Sequence, residues 1–320
     1  MPGRQKNYRR KEKKYKFRAF YYLSGWLVFI FFLSVISVKE FRRFEYRVKS
    51  NGSEPSLELE KTNAENEKSI AGFEFNDEPV FSVYMDSLLT NKSFSIPEMN
   101  GEGPQNVVDH GYFILSYNET MEQAQWVAYY LSGPELLVKK KRKGNFSEDP
   151  HIKTGSSHPE DFRFSGYDRG HLAPVLDFSY SDHAMKKSFY MSNISPQKPG
   201  FNRGIWKKLE NQVRSWAKEY EMLLILTGPI FEMGETNSRI GKNDVGIPDY
   251  FFKIIFDIHP PEYKMITFLL KNEKSDVPLL EYAISVDSLE QFSGFDFFPL
   301  LPDSLENRIE NNEKFEIWLE

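Results

Sequence analysis

His171 follows Arg169 by two positions in Gly166–Pro174 (GYDRGHLAP), and Asn202 precedes Glu210 by eight in Phe201–Glu210 (FNRGIWKKLE). Those four side chains are an imidazole, a guanidinium, a neutral amide and a carboxylate. An imidazole with an unperturbed pKa near 6.5 suits a general base at neutral pH. If Asp168–His171 is a strand, Arg169 and His171 share a face and would turn a cation and a base toward one substrate. Asp168 would then point away and tie the loop down. A helix starting near Asn202 presents positive partial charge at its N-terminus, which favours phosphate. The Asn202 amide oxygen suits Mg²⁺, an oxygen-seeking ion that keeps most of its waters. Glu210 lies two turns along on about the same side, placed to hold a metal-bound water rather than the metal. Base, cation, donors and scaffold are the parts that hydrolysis of a phosphodiester needs. Each also has a plain reading: a satisfied turn at Asp168–His171, a helix cap at Asn202, a solvated Glu210. The other histidines (His110, His151, His158, His183 and His259) have no ligand spacing and read as ordinary core or surface residues.

The elements that must hold these residues follow from periodicity. Tyr112–Tyr117 and Trp126–Leu131 are aromatic and β-favouring, separated by a polar turn, and predict an antiparallel pair. Ile205, Trp206, Leu209, Val213, Trp216 and Tyr220 recur at helical spacing and predict an amphipathic helix over 202–220. Met222–Leu226, Phe251–Ile258 and Lys264–Leu270 read as strands. Thr227-Gly228-Pro229 and His259-Pro260-Pro261 read as breakers, and Ser285–Phe292 as a short capped helix. The class is α+β on a mostly antiparallel sheet.

Charge is distributed unevenly. The 320 residues carry a net charge of −5, yet residues 1–49 hold fourteen Lys/Arg against three Glu. Within the acidic remainder, residues 139–218 hold sixteen Lys/Arg against eight Asp/Glu, a local excess of +8. That excess surrounds the chemistry-bearing segment, as binding of a polyanion requires. Lys139–Lys143, Lys186, Lys187, Lys198, Arg203, Lys207 and Lys208 are its candidate phosphate-tracking surface. The absence of cysteine excludes disulfides, thiolate nucleophiles and Cys-ligated zinc.

Ala19–Val38 has twenty residues without a charge, long enough at about 1.5 Å per residue to cross a bilayer core. The basic cluster before it predicts a cytoplasmic N-terminus and a body on the far side of the membrane. The expected organisation is a basic cytoplasmic tail (1–18), a transmembrane helix (19–38), a polar tether (39–75) and a catalytic domain (76–320). Cleavage of the segment as a signal peptide, releasing a secreted form, is the lesser alternative.

GYDRGHLAP, the strand FYMSNISPQ and FNRGIWKKLE, in that order and spacing, closely resemble the DNA/RNA non-specific endonucleases. These are the ββα-metal or His-Me finger nucleases, and the chain resembles a bacterial, membrane-anchored, endonuclease G-like member. The resemblance covers about Val107–Phe298. It implies His171 as general base, Arg169 on the phosphate, Asn202 as the protein ligand of Mg²⁺ (Mn²⁺ or another divalent ion in its place) and Glu210 on a metal water. It further implies Asn193 as the residue that positions the base. Arg142, ahead of Phe146 and Asp149-Pro150, takes the place of a further substrate arginine. Val175 departs from the common DRGHLAPA and implies a packing change only. The expected activity is hydrolysis of DNA and/or RNA with low sequence specificity, with nucleic acid and membrane as partners and a homodimer as an admissible assembly. The alternative is a catalytically weak, membrane-tethered module that captures nucleic acid.

Overall fold

This computed structural model describes residues 92–318, except 100, 102, 104–105, 233–237, 260–262 and 312–314. The expected tail, transmembrane helix and tether lie outside the described residues. Among the described residues no helix is long and apolar enough to cross a membrane.

The β-branched and aromatic runs form strands. In chain order these are Val107–Asp109 (β1), Ile114–Asn118 (β2), Gln123–Ser132 (β3), Asp168–His171 (β4) and Ile194–Gln197 (β5). Met222–Ile230 (β6), Tyr250–Asp257 (β7), Lys264–Lys271 (β8) and Ala283–Ile284 (β9) follow. One seven-stranded sheet runs β9-β8-β7-β6-β3-β2-β1, antiparallel throughout, while β4 and β5 pair as a separate hairpin. The helices used below are Asp182–Ser188 (α1), Lys207–Tyr220 (α2), Val286–Ser293 (α3) and Asp303–Ile309 (α4). The architecture is α+β on an antiparallel sheet, with a ββα unit made of β4, β5 and α2.

Two-residue alternation splits the central strands between two cores. Leu223 and Ile225 of β6, with Phe251 and Ile255 of β7, face the stripe Leu209, Val213 and Trp216 of α2. Leu224, Leu226, Phe252, Ile254 and Phe256 face the other way, onto Val286 and Leu289 of α3 and Leu305 and Ile309 of α4. Burial of each such side chain contributes about 1.5–3 kcal/mol before ordering costs. The same alternation puts Lys253, between Phe251 and Ile255, on the α2 side, where it is 1% exposed.

The Thr227-Gly228-Pro229 triplet does not break its strand: β6 runs through it to Ile230. Pairing with β3 stops at Thr227, whereas pairing with β7 continues to Ile230, and a one-sided stretch tolerates proline. A Cβ at Gly228 would lie 2.2 Å from the Gln125 carbonyl oxygen, so only glycine passes there. The predicted helix also begins differently. Phe201–Trp206 is a widened, π-type turn, with Gly204 at φ −102° and ψ −111°, and the regular helix starts at Lys207. Ser285 caps α3 by accepting from the Ser288 backbone N–H, and Gly294 ends it at φ +76°, as expected for left-handed closure.

Between Ser132 and Met222, which are register partners, the chain leaves the sheet and returns to it. The Gly133 N–H donates to the Glu221 carbonyl at 2.7 Å across the neck of this excursion. A Cβ at Gly133 would meet the Ala217 carbonyl oxygen at 2.3 Å, so α2 can end against the neck only because residue 133 is glycine.

Behind α3 sits a buried carboxyl. Glu310 is 1% exposed and its Oε1 has no hydrogen-bond partner. Burial first, then the neighbouring Glu290 and Glu306, push its pKa from 4.5 up to about 10. The folded state therefore holds a proton that the unfolded chain releases, and stability falls as pH rises from about 4.5 toward 10. Glu310→Gln removes that cost. We expect a gain of at least about 1 kcal/mol at pH 8, equal to roughly 2–4 °C in Tm. In thermal unfolding the gain should shrink toward pH 5.

Candidate active site

The β4–β5 hairpin aligns Asp168 with Gln197 and His171 with Ile194. Strand alternation puts Arg169 and His171 on one face, as expected, and Phe146 meets both. The Arg169 guanidinium carbon lies 5.4 Å from the Phe146 ring, and the His171 ring 5.4 Å from it. Phe189 closes the imidazole's other side at 5.3 Å, edge to face. His171 Nε2 is buried without a hydrogen-bond partner. Burial, then the Arg142 charge, drive its pKa from 6.5 down to about 3, so the ring is neutral with a lone pair free to accept a proton. An anion entering the cleft would oppose the Arg142 effect and raise that basicity.

Asp168 points to the opposite face. It accepts from Asn202 Nδ2 at 3.0 Å and from Arg203 Nε and Nη2 at 2.8 and 2.5 Å. Holding Arg203 and Asn202 keeps its pKa low against the opposing effect of burial. With its NH₂ committed to Asp168, Asn202 has its amide oxygen available to a cation. The turn that carries Asn202 is anchored by Phe201, stacked on Trp206 at 5.3 Å and on Phe251 at 5.2 Å.

Glu210 projects from the first turn of α2 into a buried ionic cluster. Arg214 Nη2 stands 3.9 Å from it, and Arg214 Nη1 bonds Asp177 at 2.8 Å. Tyr129 donates to the other Asp177 oxygen at 2.8 Å. Burial and Asp177 raise the Glu210 pKa, opposed by Arg214, Lys253 and Lys207. Lys253 is held down by burial; its Nζ donates to the Leu172 carbonyl at 3.4 Å, directly after His171, and lies 4.8 Å over Trp206.

Arg142, Phe146, Arg169, His171, Asn202, Arg203, Lys207 and Glu210 line one cleft of about 420 Å³. Asn193 is fully buried and lies behind it. The Asn193 side chain accepts from the Ala173 N–H at 2.9 Å and donates to the Ala173 and Ser188 carbonyls at 2.9 Å, fixing the backbone that follows His171. Arg169 spends Nε and Nη2 on the Pro159 carbonyl, at 3.2 and 2.6 Å. Arg142 lies 5.3 Å over Phe189 and is exposed. Of the basic residues expected to track a polyanion, Arg142, Arg203 and Lys207 reach the cleft. Lys140 pairs with Asp182, Lys198 with Glu273, and Lys187 bonds the His110 carbonyl. Val175, the departure noted in the sequence, packs with Met185 and Phe189.

Among the cationic residues that line the cleft, the Asn202 amide and the Glu210 carboxylate offer oxygen donors. That fits a hard divalent cation such as Mg²⁺. Sequence reasoning missed Asp177, Arg214, Lys253 and Phe189. Two signals were present: Glu210 and Arg214 are one turn apart, and Lys253 is a charge in the middle of the apolar run Phe251–Phe256. His110 in the core and His151 at the surface, read from the sequence as ordinary residues, both approach Asp149, 39 and two positions away, in a group able to hold a metal ion.

Residues 90–304 match the family model described as DNA/RNA non-specific endonuclease. The chain is 33% identical over 223 residues to the mitochondrial nuclease EXOG of Danio rerio, covering 65% of this chain and 64% of that protein. It is 33% identical over 201 residues to the mitochondrial endonuclease G of Homo sapiens, covering 58% and 67%. It is 31% identical over 245 residues to a nuclease of Syncephalastrum racemosum, covering 69% and 77%. The match thus spans just under two thirds of the first of these relatives. Among solved structures, the EndoG/EndoGI complex, titled for the mechanism of EndoG inhibition, aligns with a TM-score of 0.58 at 29% identity. That alignment covers 62% of this chain and 88% of that one.

Two outcomes follow from the geometry. Arg142→Gln removes the cation that depresses His171, so the imidazole pKa should rise from about 3 while staying below 6.5 because burial persists. An NMR titration of the ring protons reads this, and an unmoved or lowered value would refute the assignment. Gly170→Ala places a Cβ 2.2 Å from the buried Gln197 side chain. It should cost about 1–3 kcal/mol in chemical denaturation.

Proposed function

The chain belongs to the DNA/RNA non-specific endonuclease family, and on that premise we propose a divalent-metal-dependent endonuclease that hydrolyses DNA and/or RNA with low sequence specificity. The observation that carries the reading is convergence: a buried, unpartnered imidazole nitrogen, an amide oxygen and the guanidinium groups of Arg142 and Arg169 meet in one cleft.

His171 accepts the proton of the attacking water. It is neutral at physiological pH, a bound phosphate would raise its basicity by opposing the Arg142 charge, and Asn193 fixes the backbone beside it. Arg142 and the free edge of Arg169 hold the non-bridging phosphate oxygens as charge builds on them. Asn202 and, through a water, Glu210 would hold Mg²⁺, with Mn²⁺ or another divalent ion able to serve. When bound, that ion neutralises charge on the phosphate and leaving oxygen. Arg214, Asp177 and Lys253 keep Glu210 in place. All of these contacts address phosphate rather than base edges, which accounts for low sequence specificity. We place the domain of residues 76–320 outside the cytoplasm of a bacterial cell. The 19–38 segment would anchor it and the 39–75 tether would connect it.

The full chain, incubated with supercoiled plasmid and with structured RNA, tests the reading. Cleavage should require the metal, vanish with chelator, and fall by about 10²–10⁴ in His171→Ala. Well-folded protein that binds either polymer but cuts neither with several divalent ions would overturn the enzyme in favour of a capture module.

A further inference from the structure

We propose that His110, Asp149 and His151 form a second metal site, distinct from the cleft and selective for an imidazole-preferring divalent ion of the zinc class. His110 Nε2 stands 3.0 Å from Asp149 Oδ2, and His151 Nδ1 stands 3.0 Å from Asp149 Oδ1. The three ligand atoms lie within 4.8 Å of one another.

The pointer to a ligand is His110 itself. Its ring is fully buried, with Nε2 3.0 Å from the Asp149 carboxylate and Nδ1 without a hydrogen-bond partner. An ion in place of the proton between Nε2 and the carboxylate would bind both ligands at once. The rings of His110 and His151 meet edge to face at 4.9 Å, so the two nitrogens approach the carboxylate from different directions. Two imidazoles and a carboxylate, with a fourth position left for water, are a zinc-class donor set. They are poor ligands for Mg²⁺, which prefers oxygen. His151 is 44% exposed at its side chain, which supplies both an entry path and room for the water.

Asp149 is already oriented from behind. Ser192 Oγ donates to its Oδ2 at 2.5 Å, and the His151 N–H donates to Oδ1 at 3.0 Å. Such outer bonds fix a ligating carboxylate. The site would join three segments far apart in the chain: the turn between β1 and β2, the segment that carries Phe146, and Met191–Asn193 beside the base. The ion's role is therefore structural, clamping the wall of the cleft rather than entering the reaction.

The full chain without an affinity tag, freed of metal and titrated with Co²⁺ and Zn²⁺ in the presence of excess Mg²⁺, provides the test. Wild type should take up one equivalent of Zn²⁺ that Mg²⁺ does not displace. Its Co²⁺ form should carry the visible absorption of a low-coordinate site with nitrogen ligands. His151→Ala, altered at a half-exposed side chain, should bind at least about tenfold more weakly, the scale known for loss of even an outer partner. Asn202→Ala should keep the equivalent, since it belongs to the other site. Wild type that binds no Zn²⁺ in excess Mg²⁺, His151→Ala that binds as wild type does, or Asn202→Ala that loses the equivalent would each overturn the proposal.

Discussion

The Asn202 amide donates to the Asp168 carboxylate across 3.0 Å, and Arg203 grips the same carboxylate through two nitrogens. Through that carboxylate a two-stranded hairpin and the turn before a helix become one frame. His171 belongs to the hairpin and Asn202 to the turn. Proposed base and proposed metal ligand keep their separation because a third residue, on the back face of the same strand, spans the gap. Mutating Asp168 would thus disturb both partners without touching substrate.

The wall beneath Glu210 takes on a different constraint. Glu210, Asp177, Arg214 and Lys253 place two carboxyls and two cations in a region largely removed from water. Well-packed apolar residues there would be as stable or more so. What the charges provide is a rigid, hydrogen-bonded base for the first turn of α2, and a link through the Lys253 contact with the Leu172 carbonyl to the residue after His171. Apolar replacements would lose that link. Stability is given up where the cleft needs position, a trade common in functional sites.

Most of this was legible in the sequence, for physical reasons. Alternation and helical spacing placed β2, β3, β7, β8, α2 and α3, because each buries one face or stripe on a single sheet. The facing of Arg169 and His171 against Asp168 followed from strand geometry alone. The resemblance to the nuclease family then brought in Asn193, whose role as a buried clamp on Ala173 no periodicity would reveal. The turn before α2 was read as regular helix because its apolar stripe continues unbroken, while Gly204 lets the backbone depart from it. Thr227-Gly228-Pro229 was read as a break because proline's cost in a ladder depends on whether a neighbour is present, which is a property of the sheet. Asp149, His110 and His151 meet through tertiary folding alone.

The short bond between Gly133 and Glu221 at the neck of the excursion bears on how the chain acquires its structure. β3 and β6 are neighbours in the sheet, yet the whole catalytic segment is looped out between them. Closing a loop of that length costs about 4 kcal/mol of chain entropy if it is unstructured. The central strand pair is therefore slow to form until the segment has collapsed on itself, which raises contact order at the heart of the sheet. Chemistry and scaffold are coupled here: a destabilised hairpin would delay closure of the central strand pair as well as distort the cleft.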